Sequence, residues 1–183
     1  MKGTEKAILD MKNTSELMLD LAYSSLLYQN KEIAKEVVEL EGKTNELYDT
    51  ILQNVLDRKI EADTNKKLIM MKMADAIERI ADAALDIADV VLRDIELHPV
   101  IKKSLEASDV LMVRKQINEG SLLDNKKLGE VKLASETGIW VIAVKRGNYW
   151  KYGPDERTEL KARDIIFARG PKDSLEILDE WTK

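Results

Sequence analysis

The 183-residue chain contains no cysteine, one histidine, one phenylalanine and three prolines. Each shortage removes a class of chemistry. Without cysteine there are no disulfides, thiolate zinc sites or cysteine nucleophiles, which fits a reducing cytoplasm. His98 is the single imidazole and stands directly before Pro99, so His-rich zinc sites and Ser-His-Asp catalysis have little to build on. The longest apolar runs, Val110 to Val113 and Ile139 to Val144, fall far short of the roughly 20 residues that cross a bilayer. Met1 to Lys6 shows no long apolar stretch with a small-residue cleavage site, so a cytoplasmic protein is expected. Neither a G-x-G-x-x-G nor a Walker fingerprint is present. The net charge of −5, with 34% charged residues, gives no basic excess to hold a phosphate backbone, so nucleic acid is not an expected partner. No constellation of nucleophile and general base stands out beyond carboxylates, and an enzyme is not expected.

What the chain does contain is unevenly distributed. Residues 1–98 have no proline and only Gly3 and Gly42, whereas residues 99–183 hold Pro99, Pro154, Pro171, the other six glycines and all three tryptophans. Turn residues in the second piece punctuate short β-branched runs. Two domains are expected, 1–98 and 99–183, with a boundary near residues 96–108 and an α+β fold overall.

The first piece reads as three antiparallel helices of about 25–30 residues, separated at Gln29-Asn30 and at residues 61–65. Helix one carries Ala7, Ile8, Met11, Met18, Leu19, Ala22 and Leu26 on one side. Helix two carries Ala34, Val37, Leu40, Leu47, Tyr48, Ile51, Leu52 and Val55. In helix three, Met73, Ile77, Ile80, Ala84, Ile87 and Val91 are expected to face the bundle, and Met70, Met71 and Met73 are read as core filling.

The other side of helix three is the strongest functional signal. Asp75, Glu78, Asp82, Asp86 and Asp89 share less than a quarter of the helix circumference at about 100° per residue. Like charges one turn apart cost an isolated helix roughly 0.2–0.5 kcal/mol per pair, so water, basic side chains or a bound cation must compensate. Lys72 and Arg79 lie within reach of Asp75, and Arg79 of Asp82. A solvated acidic face and a cation site both remain open. Helix two adds an anomaly: Glu41 projects into the arc of Val37, Tyr48 and Leu52, with Thr44 and Asn45 beside it. An unpaired carboxylate there costs several kcal/mol, so the bundle is open at that point, or Glu41 meets a partner subunit or a ligand.

The second piece reads as a short helix from Val100 to Ala107 and a strand from Asp109 to Ile117. A helix or helical turn from Leu122 to Leu133, ending near Ala134-Ser135, follows. A hairpin then joins Ile139–Lys145 to Tyr149–Tyr152 through Arg146-Gly147-Asn148. A strand over 165–169 leads to a terminal helix capped by Asp173 or Ser174. The result is a small α/β domain with a mainly antiparallel sheet.

Two resemblances attach to these patterns. The order Val113-x-x-x-Ile117, Gly120-Ser121, Leu128 to Leu133, Gly138 to Arg146 and Arg163 to Gly170 resembles the TrkA C-terminal, or C-terminal RCK, domain over roughly residues 109–180. That domain follows the NAD-binding part of potassium-transport regulators and is attached to other transporters. The family usually shows Gly-Asp before the last strand, whereas this chain has Arg163-Asp164. The segment Glu78 to Asp89 resembles the third helix of a PhoU repeat, whose paired acid motifs can hold clustered metal ions on the bundle surface.

The PhoU resemblance implies Glu78 and Asp82, with Asp86, as one half of a metal site. Glu41 and Asn45 form the counterpart, with asparagine in place of the second acid. Oxygen ligands suit magnesium, manganese, calcium or iron and do not choose among them. The usual family member has two repeats where residues 1–98 hold one, so a homodimer would restore the six-helix arrangement. The TrkA-C resemblance implies a small anionic or nucleotide ligand, with Lys145, Arg146 and Arg169 as contacts. Solvated strand-end charge is the plainer reading of those three. Together the resemblances imply a cytoplasmic regulatory or accessory subunit, peripheral at the inner face of the membrane, of a membrane-embedded potassium or other cation transporter or channel. The alternative is a phosphate-uptake signalling adaptor of the PhoU type.

Overall fold

The computed structural model describes residues 2–57, 62–106 and 110–183. Its contacts divide the chain into two compact units, Met1–Lys102 and Lys103–Lys183. The expected domain boundary at 96–108 falls partly on residues 107–109, outside the described residues, as do Ala107 and Asp109, the expected ends of a helix and a strand.

The first unit is an α-helical bundle in which α1 (Lys2–Tyr28), α2 (Lys31–Leu56) and α3 (Thr64–Leu92) each touch the other two. Local chemistry sets the helix starts. The Asn30 side chain accepts hydrogen bonds from the backbone N–H groups of Glu32 and Ile33, at 2.9 and 3.2 Å. Asp63 caps α3 by accepting from the Lys66 N–H at 2.9 Å. Such caps satisfy donors that a helix N-terminus otherwise leaves bare.

Helix α1 buries more than its apolar residues, since Thr14, Ser15, Ser24 and Ser25 are buried too. The hydroxyls of Thr14, Ser24 and Ser25 donate to the carbonyls of Asp10, Asp20 and Ala22 at 2.7–2.8 Å. These groups therefore enter the core already satisfied. Ile8 and Leu19, expected in the core, are only half-buried, as are Leu47, Tyr48 and Leu52 of α2.

Helix α3 departs from the sequence reading in its rotation. Its buried positions are Ala74, Ala81, Ala84, Ala88 and Val91, with Ile77 half-buried beside Ala74. Met73 and Ile80, expected in the core, are 49% and 44% exposed, and Met70 and Met71 are half-buried. The reason is that α3 carries two apolar stripes. The small one, 74/77/81/84/88/91, lets α1 and α2 approach closely, whereas methionine and isoleucine at those positions would hold the helices apart. Ala74 meets Ala7, Met11 and Ile51 there.

The second unit begins with α4 (Pro99–Glu106), which spans the division between the units, and continues with a four-stranded antiparallel sheet in the order β1-β4-β2-β3. The strands are β1 (Val110–Gln116), β2 (Trp140–Arg146), β3 (Tyr149–Tyr152) and β4 (Ile165–Pro171). Central β4 buries Ile166, Phe167 and Ala168 fully, and Trp150 of β3 stacks on Phe167 at 5.0 Å. The helix expected from Leu122 to Leu133 is instead a turn followed by two short helices, α5 (Leu128–Val131) and α6 (Leu133–Thr137). Lys132, at φ +50°, breaks the run between them, and Gly138, at φ +73°, ends α6. A 3-10 turn over Lys172–Ser174 leads into α7 (Leu175–Thr182), which has no side-chain cap from Ser174. Its start is set by that turn rather than by the expected Asp173 or Ser174 oxygen.

Arg163 takes φ +71°. This is the position where the resembling family usually has glycine, and the turn is kept with a side chain that left-handed backbone disfavours by roughly 1–2 kcal/mol. Arg163→Gly is expected to raise the urea stability of this unit by about 1 kcal/mol, while Arg163→Ala leaves it unimproved.

Candidate functional site

Each unit holds one candidate site. In the bundle, the Tyr48 hydroxyl of α2 donates to Asp75 Oδ1 of α3 at 2.6 Å, which pushes the Tyr48 hydroxyl up to about 12. Glu78 is held above the usual carboxylate range, first by burial and then by the surrounding charges of Asp82, Asp75, Glu41 and Asp49. Of the expected residues, Asp82 and Glu41 are therefore both close enough to act on Glu78. Asp49 is an acid that the sequence reading missed. Glu41, Asn45 and Asp49 follow one another at i, i+4, i+8, the same spacing that marked α3, and this was the available signal.

Asn45 Nδ2 donates to Glu41 Oε1 at 2.6 Å. This answers the Glu41 anomaly locally, because the half-buried carboxylate keeps a partner. Asp86 is exposed, and Asp89 pairs with Arg93 at 2.6 Å. Among the described residues, no group of three or more acidic or histidine side chains converges as a ligand set. What the geometry shows is a shared negative field between α2 and α3.

That field has a pH signature. The Glu78 carboxyl is raised from its ordinary value of 4.5, so the folded state favours its protonated form. Stability from this group is fully present below the ordinary value and is lost as pH rises through the raised, folded-state value. Glu78→Gln is therefore expected to raise the melting temperature at neutral pH and to flatten its fall between mildly acidic and neutral pH in a thermal-melt series.

In the second unit a cleft of about 320 Å³ opens between α5–α6, the start of β2 and the loop after β3. Its wall is set by backbone pairing: the Leu128 N–H donates to the Thr158 carbonyl at 3.0 Å and the Gly129 N–H to that of Glu156 at 2.9 Å. A Cβ on Gly129 would lie 3.0 Å from Glu156 Cβ and carbonyl oxygen, so glycine permits the approach. Leu133 and Ile139 form an apolar floor, Pro154 and Trp140 flank it, and Lys132, Asp155 and Glu156 supply charge at the rim. Trp140 is 64% exposed and can present a ring face to a planar group.

The expected ligand contacts are distributed differently. Arg146 is bidentate to Asp164, with Nε to Oδ1 at 2.7 Å and Nη2 to Oδ2 at 2.6 Å, and it also donates to the Glu159 carbonyl. Lys145 sits over the Trp150 ring, 5.2 Å from its centroid. Arg169 is exposed and pairs directly across the sheet with Trp140, so the two share a face. None of the three is in the cleft lining. Arg169 is the one brought next to it.

The comparisons with known proteins divide the chain at the same place. Residues 8–91 match the PhoU domain and residues 105–182 match the TrkA-C domain. "Potassium channel protein 1" of Methanocaldococcus jannaschii is 35% identical over 71 residues, which are 39% of this chain and 21% of that protein. The chain thus spans about a fifth of that relative's length. The RCK C domain of the potassium transport protein KtrA, solved in complex with cyclic diadenosine monophosphate, aligns at 21% identity over 44% of this chain and 92% of its own, with a TM-score of 0.36. S. agalactiae BusR, solved with its promoter DNA, aligns at 12% identity over 94% of this chain and 95% of its own, with a TM-score of 0.38. Likeness at that level assigns neither ligand to this protein. The two family matches, adjacent and in this order, identify the chain as a PhoU domain followed by a TrkA-C domain.

Proposed function

We propose that this protein is a cytoplasmic regulatory or accessory subunit, peripheral at the inner face of the membrane, of a potassium or other cation transporter or channel. It acts as a homodimer and without catalysis of its own. The observation that carries this reading is the junction of PhoU and TrkA-C domains in one chain that also shares 35% identity over 71 residues with a potassium channel protein. No helix among the described residues is long and apolar enough to cross a membrane, and this reading assigns the pathway to a membrane-embedded partner. A ligand can shift such an assembly only by binding two of its states unequally.

The TrkA-C cleft is the place for that ligand, a small anionic molecule or nucleotide. Trp140 would stack on a planar base, and Lys132 and Arg169 would face its phosphate. Arg146 and Lys145 would hold the sheet beneath. Titrating cyclic diadenosine monophosphate and NAD against the full chain, read by tryptophan fluorescence and calorimetry, tests this. Saturable binding lost in Trp140→Ala, but kept in Lys145→Ala, supports the cleft. No binding of either probe by the folded protein counts against it.

The acidic face between α2 and α3 would take a divalent or iron-type cation through Glu78 and Asp82, with Asp86 nearby and Glu41 and Asn45 from α2. A bound cation reverses the pH behaviour of Glu78, because it stabilises the ionised form. Magnesium, manganese or ferrous ion should then raise the melting temperature of the wild-type chain and not that of Glu78→Ala/Asp82→Ala. An equal response in both defeats the cation role.

The second reading, a phosphate-signalling adaptor, is favoured by the PhoU match alone. In that case the bundle would dock on a phosphate permease or sensor kinase, and the TrkA-C domain would serve only to dimerise.

A further inference from the structure

The side of the TrkA-C cleft that carries Asp155 and Glu156 is a strap, residues 154–162, lying outside the helices and strands. It runs between two residues in left-handed backbone, Gly153 at φ +53° and Arg163 at φ +71°. Its middle is sewn to the chain around the start of α5: the Gly129 and Leu128 N–H groups donate to the Glu156 and Thr158 carbonyls, and the Leu160 N–H donates to the Lys126 carbonyl at 2.8 Å. The Thr158 hydroxyl donates to Asp155 Oδ1 at 2.9 Å, so the rim carboxylate is fixed to the same strap.

That seam does not by itself fix how far the strap stands from β2, whose first residues, Trp140 and Val141, also line the cleft. Arg146, the last residue of β2, spans the gap. Its Nη2 donates to the Glu159 carbonyl in the middle of the strap at 2.9 Å, while Nε and Nη2 are held by the two oxygens of Asp164. Asp164 is buried and accepts from the Lys161 N–H as well. A guanidinium presents its donors in a rigid planar fork. Asp164 therefore sets the fork, and the fork sets Glu159. Arg146 is outside the cleft lining, so its influence on a ligand there passes through the strap.

We infer that Arg146 is a positioning residue of the cleft: through the Glu159 carbonyl it sets the distance between the strap and β2, and ligand affinity follows that distance. The second part rests on the ligand reading above, and the first part does not.

The test uses the full chain with Arg146→Lys, which keeps the positive charge beside Asp164 but replaces the fork with a point donor on a flexible stem. In amide hydrogen exchange the Leu128 and Gly129 N–H groups should exchange about tenfold faster, as expected when a hydrogen bond from a charged group is lost from their seam. The amides of β4 should keep their wild-type rates, whereas a merely structural role would speed both sets together. Cyclic diadenosine monophosphate should bind this variant about tenfold more weakly.

Gly129→Ala disturbs the same seam from its other side, since the added Cβ lies 3.0 Å from the Glu156 Cβ and carbonyl oxygen. It should reproduce both effects with the Arg146–Asp164 pair intact, and adding Arg146→Lys should then cost less than a second tenfold, because both changes act on one seam. Wild-type exchange at Leu128 and Gly129 in Arg146→Lys, or equal acceleration throughout the domain, overturns the positioning role. If Arg146→Lys fails to fold, a Gly129→Ala chain with unchanged seam exchange and unchanged affinity overturns it instead. A loosened seam with undiminished affinity overturns the link to the ligand. Absence of binding by the unmodified chain defeats the ligand reading, and the exchange result still decides the role of Arg146.

Discussion

Asp164→Ala is expected to lower the stability of the TrkA-C domain by about 3 kcal/mol, seen as an earlier urea transition followed by tryptophan fluorescence. Asp164 is 1% exposed in its side chain and accepts three hydrogen bonds. Arg146 supplies two of them, and the Lys161 backbone N–H donates to Oδ2 at 2.8 Å. Its removal leaves the Lys161 donor without this acceptor and the guanidinium without its counter-ion. The Arg146 side chain is 47% exposed, so water takes up part of that loss, which is why the figure lies at the low end for a broken buried pair. Asp164→Asn keeps the shape and should lose about half as much. In Arg146→Ala/Asp164→Ala the loss should fall short of the sum of the single variants, since both remove one interaction. The turn that holds Asp164 is built on Arg163 in left-handed backbone, so the domain retains a strained residue in order to aim a buried carboxylate.

Ala74→Leu is expected to cost the bundle a similar amount, about 3 kcal/mol. Ala74 is 0% exposed and packed against Ala7, Met11 and Ile51, so three added carbons have no space without moving α1 or α2. The same leucine is harmless elsewhere on this helix. Leu68 is 48% exposed, and Leu68→Ala should change stability by no more than about 0.5 kcal/mol. Chemical denaturation of the two variants side by side checks the rotation of α3: equal effects would mean that the alanine seam is not the buried one.

That rotation marks the limit of what α3 discloses in sequence. Its existence and length follow from the period and from Asp63 at its start, and the acid stripe was visible as a pattern. Which apolar side turns inward was not. Two stripes compete, and hydrophobicity favours Met73 and Ile80 while close packing favours Ala74, Ala81 and Ala88. The same limit applies in the TrkA-C domain. The β-branched runs and the turn at Gly147 disclose β2, β3 and β4, but nothing local at Lys132 announces left-handed backbone, so the break between α5 and α6 was missed. The cleft was missed because it is a long-range product: residues 128–135 and 154–156 are brought together by backbone bonds that no motif encodes. Arg146 illustrates the converse. Its type and place at a strand end fit an anion contact, yet the structure engages it in a bidentate pair with Asp164, eighteen residues away in sequence.

The proposed role has the PhoU and TrkA-C domains acting together on a cation-transporting membrane protein. It is tested most directly by affinity capture of the tagged full chain from detergent-solubilised membranes of its own host, with the retained membrane proteins identified by mass spectrometry. Stoichiometric retention of a potassium or other cation transporter or channel subunit is the expected result. Retention of a phosphate permease or a sensor kinase in its place would contradict it.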